Sequence, residues 1–384
     1  MSRFSRIIRS LLVSAAVGLA AMLGVSVAGA SAASCLCFHA VYTGGSDLRV
    51  HDSAFNTITR TWSDQVAPAS VVAKANPSAV MTADNFYHID YVGQDGFVHD
   101  DAQSPTTHAW VDQIPPGSVK AVGTPVALDL FPVSGSDVTL HIVYLSQTGW
   151  IHNDQFDPKT NTWFDQIPPR SVPAASSPVA EDNVDYGYFR VIYVGKDGRV
   201  HEDRYNKATR VWRDSVVPGS VPAISNPRIG EANDGPSGGA GFHIVYVGTD
   251  GFVHNDREDL GTGTWYDQIP PGSTTALGTP TFTPGVVPGF SHVIYFAPGG
   301  GVHLDTFGSV TRTWSDGIAP ASIPASNSPT GTSTYNNTFQ LVYTGNDSRL
   351  HDDVFTPSTD SWSDSIPTGS APVDGAVAVA NVDN

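Results

Sequence analysis

The stretch Gly251–Ser273, "GFVHNDREDLGTGTWYDQIPPGS", decides the fold because it is one of seven near-copies. It returns as "GWIHNDQFDPKTNTWFDQIPPRS" at Gly149–Ser171 and as "GFVHDDAQSPTTHAWVDQIPPGS" at Gly96–Ser118. Its histidine recurs at His51, His99, His152, His201, His254, His303 and His351. A tryptophan follows each by eleven residues (Trp62, Trp110, Trp163, Trp212, Trp265, Trp314, Trp362), and an aspartate follows each tryptophan by two. A serine lies eight past each tryptophan, from Ser70 to Ser370, with Ser322 in the sixth copy. Upstream, a tyrosine precedes the histidine by eight in six copies, and Tyr42 precedes His51 by nine.

The period of 48 to 53 residues sets the architecture before any single motif does. Each unit holds four short strands. "TPVALDL" (Thr124–Leu130) is the first, opened by a proline that recurs at Pro77, Pro178, Pro227, Pro280 and Pro329. "LHIVYLS" is the second and "FVHND" the third, joined by turns such as "GQDG" and "GKDG" that supply a positive-φ glycine. "TWYDQI" is the fourth, and the Pro-Pro-Gly-Ser behind it ends pairing because proline has no N–H to give. Seven such units predict an all-β, seven-bladed β-propeller of four-stranded antiparallel blades. "FHAVY" near the start reads as a second strand and "GAVAVANVDN" at the end as a lone first strand. The C-terminal strand is therefore expected to complete the first blade and close the ring.

Residues 1–32 stand apart. Arg3, Arg6 and Arg9 precede an apolar run and a small-residue tail through Ala30 and Ala32, the pattern of a secretory signal, with a bacterial look. The expected product is a secreted chain with one propeller domain over 33–384. No later apolar run is long enough to span a bilayer. Removing the three arginines takes the formal charge from −17 to −20, which disfavours a nucleic-acid partner. Cys35 and Cys37 cannot form a disulfide framework, so burial must hold the fold. Neither catalytic residues, nor a metal site, nor a cofactor is indicated, and the acid-rich pieces lack EF-hand spacing. Oligomeric state is left open.

A residue needed in every blade answers a packing problem shared by all of them. The tryptophan is expected between neighbouring sheets, with indole, imidazole and carboxylate satisfying one another and the serine tying down its turn. A second column varies: His39, His88, His141, Arg190, His243, His292 and Gln340, three residues before each tyrosine. A third follows the phrase histidine: Asp52, Asp100, Asn153, Glu202, Asn255, Leu304 and Asp352. Antiparallel pairing brings these columns together, either as a cross-strand pair stabilising the sheet or, beside an aromatic ring, as a sugar site between blades.

The fourth unit carries a resemblance. "SPVAEDN" (Ser177–Asn183), "FRVIYVGKDGRVHED" (Phe189–Asp203) and "RVWRDS" (Arg210–Ser215) resemble blades of the fungal and bacterial fucose-binding lectins of β-propeller type. Over nearly the whole mature chain this resemblance implies a multivalent carbohydrate-binding protein with glycans as partners. It implies a site at Arg190 and Glu202, with Trp265 from the following blade. By extension, His39, Asp52, His88, Asp100 and Trp110 are candidate ligand-binding residues. The chain departs from the lectin pattern in having histidine where five of its arginines would stand, and seven units rather than six. Two other readings compete. One is a scaffold that binds a protein partner through the inserts "TFTPGVVPGF" and "EANDGPSGGAG"; the other is an enzyme using inner-strand acids such as Asp129, Glu181 and Glu231.

Overall fold

The computed structural model describes residues 36–383 apart from 68–69, 84, 132–138, 158, 184, 234–239, 271, 286–288, 320–322, 334–337 and 360. The expected signal segment, Cys35 and Ser322 therefore lie outside the described residues. Cys37 is disulfide-bonded. No helix among the described residues is long and apolar enough to cross a membrane.

The described chain forms seven four-stranded antiparallel sheets, each with its strands in sequence order except the first. The first sheet runs Val373–Asp383, Leu36–Gly44, Val50–Asn56, Thr61–Val66, so the last strand of the chain supplies its inner edge. The propeller is thus seven-bladed and closed by strand exchange between the two ends of the chain. In four blades the recurrent proline lies immediately before the first strand. In the third and sixth, the strands Ala121–Leu130 and Leu277–Pro284 run through Pro125 and Pro280. A register shift precedes each proline, with Gly123 and Gly278 at positive φ, so the missing N–H falls at a bulge.

Period-two alternation gives every blade two different faces. In the first blade, Phe38, Tyr42, His51, Ser53, Phe55, Trp62 and Asp64 share one face, and His39, Val41, Asp52 and Gln65 share the other. The first face of each blade meets the second face of the blade before it. Seven apolar clusters result, one per interface. One joins Val41, Val50 and Ala67 to Tyr87, Ile89, Tyr91 and Trp110; another joins Val179, Ile192 and Val200 to Phe242, Ile244, Tyr246 and Trp265.

The recurrent phrase is the bond between blades. Each tyrosine hydroxyl accepts the backbone N–H of the residue one past the serine of the preceding blade, from Val71 N on Tyr91 to Ala371 N on Tyr42, at 3.0–3.2 Å. The phrase histidine stacks on that tyrosine, with ring centres 5.2–5.7 Å apart, and its Nδ1 meets the aspartate past the tryptophan at 2.9–3.0 Å. The expected indole–imidazole–carboxylate network needs correction: the tyrosine hydroxyl, not the indole, is its third member. Register explains why, since His51 faces Val66 across the sheet while Trp62 faces Phe55, outside that network. The serine hydroxyl ties its turn at Ser171, Ser273 and Ser370, with Ser171 Oγ 2.5 Å from Pro168 O and 2.7 Å from Asp203 of the next blade. The hydroxyls of Ser70, Ser118 and Ser220, by contrast, are buried without a hydrogen-bond partner among the described residues.

Candidate functional site

The two variable columns meet as their register requires. Val41 pairs with Asp52, which puts His39 diagonally beside it, and His39 Nδ1 lies 2.7 Å from Asp52 Oδ1. His88 meets Asp100 at 2.8 Å, His141 meets Asn153 at 2.9 Å and His243 meets Asn255 at 3.0 Å. The ring that follows comes from the next blade: Tyr87 sits 4.8 Å from His39, and Trp110 stands edge-on to Tyr87 at 5.9 Å. His39, Asp52, His88 and Asp100 are 8, 1, 7 and 0 % exposed, so these pairs lie in the wedge between blades rather than in an open cleft. Burial pushes His141 and His292 down to about 4, which keeps both neutral across the physiological range.

Between the fourth and fifth blades the arrangement differs. Arg190, in the strand Tyr188–Val194, places Nη1 3.2 Å from Glu202 Oε1 and 2.5 Å from Glu258 Oε2 of the next blade, with its guanidinium 4.3 Å from the centre of the Phe242 ring. Arg204 forks onto Glu202 through Nε and Nη2, both at 2.9 Å, and reaches Glu258 at 3.1 Å. Two guanidinium groups and two carboxylates thus form one neutral network across the interface. Arg190 and Glu202 are 1 and 3 % exposed and form its base; Arg204 is half-buried and faces outward. Carboxylate charge on both sides holds Arg204 above its ordinary pKa against the opposing effect of burial.

Above the network opens a cleft of about 670 Å³ lined by Tyr188, Glu202, Arg204, Arg213, Glu258 and Trp265. Its origin lies in a column of aromatics that fails in two blades, at Gln103 in the second and at Glu258 in the fifth. Four residues past the phrase histidine, five blades carry Phe55, Phe156, Tyr205, Phe307 or Phe355, each 5.1–5.2 Å from the tryptophan of its own blade. The fifth blade has Glu258 there, so Trp265 lacks that aromatic neighbour and its ring borders open space. Of the residues expected from sequence, Glu202 and Trp265 line one cleft with Arg190 behind it. Arg204, Glu258 and Tyr188 join them there, and the sequence signal for Glu258 is an acid in a column that is otherwise aromatic or Gln103.

Among the inner-strand acids, Glu181 and Glu231 meet across the fourth and fifth blades, where Asn183 Nδ2 donates to Glu231. Burial, then the Glu231 charge, pushes Glu181 up to about 8. Neither lines the cleft, and Asp129 instead accepts the Ala83 N–H. Much of both long inserts, residues 286–288 and 234–239, lies outside the described residues.

Comparison with solved structures places the fold. The lectin BP39L from Burkholderia pseudomallei superposes with a TM-score of 0.63 at 14% identity, over 86% of this chain and 97% of that one. A protein described as a 6-phosphogluconolactonase from Bacteroides fragilis superposes at 0.60 and 14% identity, over 92% and 100%. A fucose-specific lectin from Aleuria aurantia reaches 0.49 at 16% identity, over 77% and 96%. No protein-family model matches the chain, and no curated protein is significantly similar to it. The chain is thus similar in fold to the BP39L lectin and to a protein described as an enzyme, at identities that carry architecture alone.

Proposed function

We propose that this protein binds carbohydrate, with a sugar ring seated in the cleft between the fourth and fifth blades, and that it is exported through its N-terminal segment. One observation carries the reading: the Trp265 ring borders a cleft whose floor is a fixed lattice of guanidinium donors and carboxylate acceptors. A pyranose presents an apolar C–H face and an edge of hydroxyls, which match a flat aromatic and a planar polar network. Because Arg190, Glu202, Arg204 and Glu258 already offset one another's charge, the site is pre-organised and neutral, and so suited to an uncharged sugar. The likeness in fold to the BP39L lectin agrees with this reading.

A glycan array that includes fucosides, probed with the exported chain, tests it. Binding should fall at least about tenfold in Trp265→Ala and in Arg204→Ala, each of which removes one face of the cleft. An array blank across all sugars, or unchanged binding in both variants, rejects the site. N-terminal sequencing of secreted material should find a start close to residue 33.

A further inference from the structure

The central channel holds a cation, Arg228, that no described residue pairs. Seven positions, one per blade, face the second strand at the same register around the axis. Six carry Ala378, Ser78, Val126, Val179, Thr281 or Thr330; the fifth blade carries Arg228. They line a cavity of about 200 Å³, and Arg228 is the single charged residue in its wall among the described residues. No hydrogen bond or ion pair engages the Arg228 guanidinium among the described residues. In the same wall, Ser78 Oγ is buried without a hydrogen-bond partner. A shielded guanidinium keeps its charge at neutral pH and is costly without a counter-charge. No carboxylate among the described residues pairs with it.

We propose that the central channel binds a small hydroxylated monocarboxylate, its carboxylate on the Arg228 fork and a hydroxyl on Ser78. The fork geometry of arginine suits the two oxygens of a carboxylate. One cation balances one negative charge, while the formal charge of −17 works against a dianion such as phosphate. Thr281 Oγ1 donates to Pro329 O at 2.9 Å and so keeps a lone pair free for a ligand hydroxyl. Proline rings and valines make up much of the remaining wall, so affinity rests on these few polar groups.

Isothermal titration of the exported chain with gluconate and lactate, against phosphate and chloride at matched ionic strength, tests the assignment. Saturable heat with gluconate or lactate is expected, together with weaker or no binding of phosphate. Arg228→Gln should abolish it, and Arg228→Lys, which keeps charge but loses the fork, should weaken it about tenfold. Trp265→Ala should leave it unchanged, which separates this site from the sugar cleft. Absence of heat in the wild type, equal heat with phosphate, or wild-type binding in Arg228→Gln overturns the proposal. Should Arg228→Gln fail to fold by circular dichroism, Ser78→Val and Arg228→Lys decide the matter, and unchanged binding in both rejects it.

Discussion

At the scale of single residues, what repeats and what breaks the repeat have different meanings. The invariant tyrosine is structural: Tyr246 Oη accepts Val221 N at 3.1 Å and donates to Asp256 Oδ2 at 3.1 Å. Tyr246→Phe would strand a backbone donor between blades and should cost about 1–3 kcal/mol, seen as a fall of several degrees in Tm. Glu258 is the opposite case, the one acid in a column of five aromatics and Gln103. Glu258→Phe rebuilds the ring contact made in five other blades and should close the cleft. Sugar binding on the array should then be lost, with a lower Tm because Arg190 and Arg204 lose a carboxylate partner; retained binding would show that the cleft is not the site. Both features are visible in the sequence once the copies are aligned. What sequence could not show is which columns end in open space, since His39–Asp52 and Arg190–Glu202 pair alike and are buried alike, and only the cleft beside Trp265 sets the second apart.

At the scale of the blade, the third and fourth strands carry a paired acid that spacing alone conceals. Asp101 faces Asp112, Asp154 faces Asp165, Asp203 faces Asp214 and Asp256 faces Asp267 directly across the sheet. Eleven residues separate each pair in sequence, so register is needed to see it. Burial first, and then the opposing carboxylate, push Asp101 and Asp256 up to about 8 and Asp154 to about 9. Burial likewise carries Asp203 to about 8 and Asp305 to about 7, against a hydrogen bond from the preceding blade's serine. Hydrogen bonding to Asp64 raises His51, against burial. For His99, His201 and His254 burial pulls downward, yet the flanking aspartates outweigh it and the net shift is upward. All these groups hold protons more tightly folded than unfolded. Their stabilisation is complete below the unfolded values, 3.8 for the aspartates and 6.5 for the histidines, and is lost as pH rises through the folded values. The exposed turn aspartates Asp47, Asp197, Asp250 and Asp347 are lowered and act in the opposite sense, so very acid conditions give no further gain. Tm should therefore be highest near pH 4 and fall progressively, by several degrees, toward pH 9. The first blade carries Ser53 where the others carry the second acid, with Ser53 Oγ donating to Asp64 at 2.7 Å. Asp256→Ser, which copies that arrangement, should flatten the alkaline side of a scanning-calorimetry profile; an unchanged slope would remove the acid pair as its cause.

At the scale of the whole molecule, a ring and a row of repeats fail differently, and the first blade decides which this is. Leu36–Gly44 pairs with Val373–Asp383 over most of its length, and the final interface cluster joins Val342 and Leu350 of the seventh blade to Phe38 and Tyr42 of the first. That closure was legible as a register argument, since the chain enters on a second strand and leaves on a first. The bulges at Pro125 and Pro280 were not legible, because a proline opening a strand and a proline inside one read alike. Deleting residues 373–384 would leave the strand at Leu36–Gly44 with an open inner edge and would uncover the apolar groups that Val373 and Val377 bury. The seventh and first blades would then share only part of their interface, and both sides of the gap could fray toward the opposite side of the ring. In a linear stack such a deletion would destabilise the terminal unit alone and leave the remaining transition in place. In a closed ring the whole transition should move, so a calorimetric scan of the truncated chain should show one peak at markedly lower Tm. A small low-temperature transition beside an unshifted main peak would mean that the blades act as independent neighbours and that strand exchange merely tidies the ends. Supplying the missing segment as a separate peptide should restore the wild-type peak in proportion to peptide concentration, because binding to the folded state alone raises apparent stability by mass action.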